Sequence, residues 1–255
     1  MTAIVTRLAT IASLLAWASA PATAQAVVQN LPTGERVLLA GPANPRAILL
    51  MFAGGNGDVA IDDSGRVGRL AGNFLIRTEP LWLAQGFAYV AIGSSGSLMG
   101  ERHTPAYAAV IAHAIDFARS RASAPVWLVG TSQGSIAAAN GAAHLPGRVA
   151  GVVLTSSVAG RSRSGETVFD SDLGAIAVPA LILVNRHDGC EAAGPAYAPQ
   201  MLAALGRAPR KEIVYVDSTA VQGDPCEAQS PHGFLGIEPE AVQRIASWIN
   251  AAPGR

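Results

Sequence analysis

The sequence is poor in charged and aromatic side chains. Of 255 residues, 18 are Lys or Arg and 18 are Asp or Glu, so the formal net charge is zero, and only 5% are aromatic. Balanced charge without a run of one sign gives no electrostatic basis for binding nucleic acid or anionic lipid. Half of the residues are apolar, which excludes disordered and fibrous classes and suffices for one globular core. We therefore expect the binding partner to be a small molecule.

Long apolar runs are also missing. No segment approaches the roughly 18 uninterrupted apolar residues of a membrane-spanning helix. The N-terminal apolar run, residues 8–18, follows an arginine and precedes several alanines, which predicts a secretory signal peptide over residues 1–26. A permanent membrane helix is the weaker alternative, and cleavage is expected after Ala24 or Ala26. We thus predict an exported protein, periplasmic or secreted, whose residues 27–255 form one domain with no stable membrane insertion.

Cysteine is limited to Cys190 and Cys226. Export to an oxidising compartment favours a disulfide between them. Two buried free thiols are the alternative, and a two-cysteine metal site is disfavoured because ligand spacing typical of zinc is missing nearby. We therefore predict a disulfide, with neither a metal ion nor a cofactor.

Short apolar runs alternate with segments of helical spacing along the mature chain. The predicted strands cover residues 36–39, 47–53, 87–92, 126–129, 149–154, 179–184 and 212–216. The predicted helices cover residues 105–119, 135–144, 197–205 and 239–249. Runs that are apolar throughout indicate strands covered on both faces, and the alternation predicts a doubly wound, mostly parallel α/β sheet. Ligands of such sheets bind beyond the carboxyl ends of the strands, so functional residues should directly follow strands.

The segment Gly130-Thr131-Ser132-Gln133-Gly134 matches the G-x-S-x-G nucleophile elbow, a strained turn that lifts a serine oxygen clear of the sheet. The string alone is weak, because a chain of this composition gives roughly 0.2 such matches by chance. Its context is specific, since a predicted strand precedes it and a helix of small residues follows. We predict Ser132 as the nucleophile, with an ordinary serine in a tight turn as the alternative.

An elbow serine needs a base and an acid that follow it in the chain. His232 lies in the loop SPHGF between the last predicted strand and the last helix, where an imidazole can reach the serine. Asp188 follows the apolar run PALILV in the loop NRHDGC, and a solvated turn aspartate is the alternative reading. Because Cys190 lies two residues after Asp188 and Cys226 lies six residues before His232, their bridge would join the acid loop to the base loop.

Two backbone N–H groups are expected to bind the oxyanion of the reaction. One belongs to Gln133, the residue after the nucleophile. The second should follow an earlier strand, where AILLMFA leads into a glycine-rich turn, and we predict Gly55 with Asn56 as the second candidate. A glycine turn without a ligand is the alternative. A phosphate-binding loop is disfavoured because neither G-x-G-x-x-G nor the P-loop lysine pattern occurs.

The ordered motifs FAGGNG, GTSQG, RHDGC and SPHGF resemble the bacterial α/β-hydrolase family over most of the mature sequence. The resemblance implies a Ser132–Asp188–His232 triad and acyl-enzyme chemistry on an ester-like bond. The chain departs from many relatives in having Ala53-Gly54 where they have His-Gly. It looks most like exported members with paired cysteines beside the acid and the base.

The sequence therefore predicts a serine esterase with a small-molecule ester-like substrate. An amidase or peptidase with the same triad, and a catalytically silent binding protein of this fold, are the alternatives. The segment of residues 158–177 is too short for a separate lid domain, which predicts an accessible site. Its Arg161 and Arg163 are interpreted as solvated surface residues in preference to ligands of a substrate carboxylate.

Overall fold

The computed structural model describes residues 24–94 and 96–251, and these contain one eight-stranded sheet. Residues 1–23, most of the predicted signal peptide, lie outside the described residues, so export stays a prediction. The strands in chain order are β1 (Ala24–Asn30), β2 (Arg36–Gly41), β3 (Ile48–Phe52), β4 (Ala88–Gly93), β5 (Val126–Thr131), β6 (Gly151–Thr155), β7 (Ala180–Asn185) and β8 (Lys211–Val216).

The sheet is mostly parallel, with the strand order β1-β2-β4-β3-β5-β6-β7-β8. The β1–β2 and β2–β4 pairs are antiparallel, and every other neighbouring pair is parallel. The predicted doubly wound sheet is thus confirmed, and the seven predicted strands are all present. β1 is not predicted from the sequence because its first residues fall within the predicted signal peptide. Cleavage after Ala24 would leave this strand nearly whole.

Side chains alternate between two cores, one on each face of the sheet. In β3, Ile48 and Leu50 belong to one core, whereas Leu49 and Met51 belong to the other. The helices are α1 (Phe74–Arg77), α2 (Glu79–Ala84), α3 (Pro105–Arg121), α4 (Gly134–His144), α5 (Ala198–Ala204) and α6 (Glu238–Asn250). α3, α4 and α5 cover the first face, and α1, α2 and α6 cover the second. Covering on both faces explains why the central strands are apolar throughout.

The four predicted helices are present, with ends that differ by at most two residues from the predicted ones. The short helices α1 and α2 were not predicted. Residues 158–177, after β6, form only two 3₁₀ turns, Val168–Ser171 and Leu173–Ala175. The predicted single domain with a minimal lid is therefore confirmed. None of the described helices is both long and apolar enough to cross a membrane.

Candidate active site

Ser132 lies at the turn that joins β5 to α4, in the strand–turn–helix context that its motif predicts. Its φ of 54° is in the left-handed region, where a residue other than glycine is strained by about 1–3 kcal/mol. A Cβ on Gly130 would lie 2.4 Å from the Gly134 carbonyl oxygen, and one on Gly134 would lie 1.9 Å from the Phe52 oxygen. Only glycine therefore fits on either side of the turn, because the start of α4 packs against Gly130 and against the end of β3.

Hydrogen bonds hold the strained turn in place. The Ser132 N–H donates to the Thr155 carbonyl at the end of β6 (3.0 Å), and the Ser132 carbonyl accepts from the Ser135 hydroxyl (2.6 Å). Thr155 is fully buried, and its own hydroxyl donates to the Gly130 carbonyl (3.1 Å). The surrounding strands thus supply the contacts that sustain an unfavourable φ at Ser132.

His232 and Asp188 form a buried acid–base pair. The His232 Nδ1 and the Asp188 Oδ2 lie 2.9 Å apart, and the two side chains are 5% and 0% exposed. Since a carboxylate only accepts hydrogen bonds, this contact places a proton on Nδ1, and in the neutral imidazole Nε2 then presents a lone pair. The Nε2 atom is buried and has no hydrogen-bond partner within the described part of the chain. The imidazole is therefore oriented to accept a proton at Nε2.

Two contacts fix the loop that carries His232. The Asn185 side chain, directly after β7, donates to the Pro231 carbonyl (3.2 Å). Arg77 of α1 donates to the Gly233 carbonyl and forms an ion pair with Glu238 (3.0 Å). Neither residue was selected from the sequence. Asn185 could have been identified from the sequence, because it lies at the carboxyl end of a predicted strand, where functional residues of such sheets are found.

A disulfide joins Cys190 to Cys226, as predicted. The Cys190 N–H donates to Asp188 Oδ1 (3.0 Å), so the bridge begins next to the acid. Cys226 lies six residues before His232 in the chain. The bridge thus links the acid loop to the base loop.

A cleft of about 980 Å³ opens above the carboxyl ends of the central strands. The cleft is lined by Ser132, Gln133 and His232. Residues 54–56 also line it, and they belong to a turn of residues 54–57 that we call the glycine loop. The apolar lining of the cleft includes Leu70, Phe74, Met99 and Val158. The charged residues that line it are Arg161, Arg163, Glu191, Asp224 and Glu227. Both arginines are exposed. The volume is typical of a site for a small molecule.

The glycine loop packs against the nucleophile. A Cβ on Gly54 would lie 2.8 Å from the Ser132 Cβ, so Gly54 is the loop residue that contacts the serine. Gly55 has a φ of 58°, which favours glycine. The N–H groups of Gly55, Asn56 and Gln133 donate to no backbone carbonyl in residues 24–94 and 96–251. The predicted oxyanion donors therefore line one cleft with Ser132 and keep free N–H groups.

The four other histidines, His103, His113, His144 and His187, do not line the cleft. His187 is exposed and lies 3.4 Å from Asp217, so it points away from the neighbouring Asp188. The Nδ1 atom of His103 contacts the Glu166 carboxylate, and the Nδ1 atom of His144 contacts the Asn140 carbonyl.

Arg102 and Glu166 are charged residues near the site that the sequence analysis did not select. Both are almost completely buried, at 1% and 2% exposure. Burial lowers the pKa of the Arg102 guanidinium, and the neighbouring Glu166 opposes part of this shift. In the sequence they resemble solvated loop residues, and only the folded chain shows their burial.

No protein-family model matches the chain, and no curated protein matches it by sequence. Solved structures are similar to it at low identity. An esterase of Pyrococcus furiosus has a TM-score of 0.64 at 10% identity, covering 90% of this chain and 91% of its own. Est1E of Butyrivibrio proteoclasticus has a TM-score of 0.60 at 11% identity, covering 89% and 98%.

A protein of Xanthomonas campestris, described as an α/β serine hydrolase without a lid, has a TM-score of 0.58 at 16% identity, with 91% and 97% of the two chains covered. Together with the sheet order and the helices on both faces, these similarities show that the chain has the α/β-hydrolase fold.

Proposed function

We propose that this chain, which has the α/β-hydrolase fold, is a serine hydrolase that cleaves carboxylic esters with Ser132, His232 and Asp188 as its triad. The observation that carries the proposal is the buried His232–Asp188 pair, because its Nε2 has no partner among the described residues and His232 lines the same cleft as the strained Ser132. An imidazole held by a carboxylate at Nδ1 is the arrangement that general-base catalysis by histidine requires.

In the proposed reaction, His232 Nε2 accepts the hydroxyl proton of Ser132 while the serine oxygen attacks the ester carbonyl. Asp188 holds the imidazole in the required tautomer and stabilises its charged form. The N–H of Gln133 and an N–H of the glycine loop donate to the oxyanion. Protonated His232 then gives its proton to the leaving alcohol, and an activated water releases the acid from Ser132.

Three features support an ester of moderate size as the substrate. The cleft is open, since residues 158–177 form no lid domain, and apolar side chains make up part of its lining. The similar structure from Pyrococcus furiosus is described as an esterase, and the one from Xanthomonas campestris as a serine hydrolase. The disulfide supports export of the protein, because disulfides persist in oxidising compartments.

The proposal is tested by the hydrolysis of p-nitrophenyl esters of increasing acyl length, beside anilides of the same acids. Ser132→Ala should lower kcat on the best ester by roughly 10⁶-fold, as the loss of a triad serine does in other serine hydrolases. Ser120→Ala, which removes a hydroxyl of α3 that does not line the cleft, is the control and should leave kcat unchanged. Equal rates for the native protein and Ser132→Ala would refute the proposal, and faster anilide cleavage would make the protein an amidase.

A further inference from the structure

Arg102 and Glu166 form a buried charged pair outside the proposed triad. Arg102 Nη1 and Glu166 Oε1 lie 3.8 Å apart, and the side chains are 1% and 2% exposed. Removing two charges from water is costly, and apolar residues of similar volume are often at least as stabilising. Stability alone therefore gives no reason for a charged pair at this position.

The Arg102 guanidinium lies directly against the glycine loop. Its Nη2 donates to the Gly55 carbonyl (2.9 Å), and its Nη1 donates to the Leu98 carbonyl (3.4 Å). A Cβ on Gly57 would lie 2.8 Å from Nη2, so this glycine leaves room for the guanidinium. Glu166 is held by the Gly100 N–H, which donates to Oε1 (3.0 Å). The Gly100 N–H thus holds the Glu166 end of the pair, and the Arg102 end contacts the glycine loop.

The carbonyls of the first three residues of the glycine loop, residues 54–56, each accept a hydrogen bond. The Gly54 carbonyl accepts from the Gly57 N–H (3.2 Å), and the Asn56 carbonyl accepts from the Leu98 N–H (2.8 Å). The Gly55 carbonyl, between them, depends on the arginine side chain. In a planar trans peptide the C=O and N–H groups point in opposite directions. The guanidinium therefore sets the direction of the Asn56 N–H and restrains rotation of the peptide next to the Gly55 N–H.

The backbone of Arg102 is attached to the helix that follows the nucleophile. Its carbonyl accepts from the Asn140 side chain of α4 (2.9 Å), and the same amide donates to the Thr104 carbonyl (2.9 Å). One residue thus joins the Ser132 helix to the glycine loop. Glu166 lies two residues after Ser164, whose hydroxyl donates to Gln133 Oε1 (3.0 Å). The backbone N–H of Gln133 is the other proposed oxyanion donor.

We infer that Arg102, held by Glu166, is a positioning residue that fixes the oxyanion-binding N–H groups of the glycine loop relative to Ser132. The inference rests on the proposed function. Donors that are fixed before the oxyanion forms stabilise the transition state more than the bound substrate. Freeing the loop should consequently lower kcat and leave KM nearly unchanged.

The experiment compares the native protein with Arg102→Lys and with the double variant Arg102→Met/Glu166→Met, which removes both charges together. In both variants kcat on a p-nitrophenyl ester should fall by about 10- to 100-fold, part of the effect of losing an oxyanion donor. KM should stay within about threefold. The affinity for a trifluoromethyl ketone, which forms a tetrahedral adduct with the serine, should fall by the same factor as kcat/KM.

Arg148→Lys is the matched control, because Arg148 also donates to a backbone carbonyl, that of Ala112, and pairs with Asp116 away from the cleft. It should change neither kcat nor the inhibitor affinity. Native kcat in both Arg102 variants, or a rise in KM that accounts for the whole loss, would overturn the inference and leave the proposed function intact.

Hydrogen exchange tests the inference without catalysis. The Gly57 and Leu98 amides, which donate to the Gly54 and Asn56 carbonyls, should exchange faster in Arg102→Lys than in the native protein, while those of α4 keep their native rates. Unchanged exchange at these two amides would overturn the inference. If the native protein hydrolyses no ester, the proposed function fails, and the exchange rates still show whether Arg102 holds the loop.

Discussion

Removal of the disulfide should cost much stability and little activity. The bridge joins Cys190 to Cys226, which are 36 residues apart in sequence. In the chain-entropy model, closing a loop of this length removes about 13 cal/mol/K from the unfolded chain, or about 4 kcal/mol at 25 °C. The variant Cys190→Ala/Cys226→Ala should therefore lose about 4 kcal/mol in its free energy of unfolding and about 8–16 °C in Tm.

The contact between Asp188 and His232 should survive in this variant. Asn185 still donates to the Pro231 carbonyl, and Arg77 still donates to the Gly233 carbonyl, so the His232 loop keeps two anchors that do not depend on sulfur. We expect kcat on an ester substrate to stay within about tenfold of the native value at a temperature where both proteins are folded.

The assay is urea unfolding followed by tryptophan fluorescence, together with ester hydrolysis below the transition. Native protein with its disulfide reduced under native conditions should show the same loss as the double variant. A loss below about 1 kcal/mol would refute the entropic reasoning, because it would mean that the bridged segment is not freed in the unfolded chain. A fall in kcat above about 100-fold in folded protein would refute the claim that the two anchors suffice.

Three further substitutions test the site and its scaffold. Asp188→Asn should lower kcat by about 10⁴-fold, since the imidazole would then be held in the wrong tautomer; a loss below tenfold in the ester assay would contradict that role. Gly54→Ala should lower kcat by about 100-fold in folded protein, because its Cβ would lie 2.8 Å from the Ser132 Cβ and shift the nucleophile. Gly134→Ala should lose more than about 3 kcal/mol in urea unfolding, because its Cβ would lie 1.9 Å from the Phe52 oxygen, and native stability would contradict this packing.

The architecture was predictable because local sequence and global fold agree. The central strands are apolar throughout, as the covering of both sheet faces requires. Ser132, Asp188 and His232 were selected because they follow predicted strands in the expected order, and the fold brings the last two within 2.9 Å across 44 residues. Chain order sufficed because the carboxyl ends of parallel strands share one edge of the sheet.

Features that depend on packing were not predictable. β1 pairs with β2, but the sequence of its first residues is equally typical of the end of a signal peptide. Arg102 and Glu166 stand in polar segments whose composition gives no sign of burial. The Gly54 contact with Ser132 also depends on how β3 and α4 meet, and no sequence pattern reports that distance.

Covalent labelling by a fluorophosphonate tests the central claim most directly, because the reagent reacts with an activated serine and needs no knowledge of the substrate. We expect one adduct per folded native chain, located by peptide mass spectrometry on Ser132, and none in Ser132→Ala. Labelling should also be lost in His232→Ala, since the serine then lacks its base. Equal labelling of the native protein and Ser132→Ala, or no labelling of the folded native protein, would contradict the account.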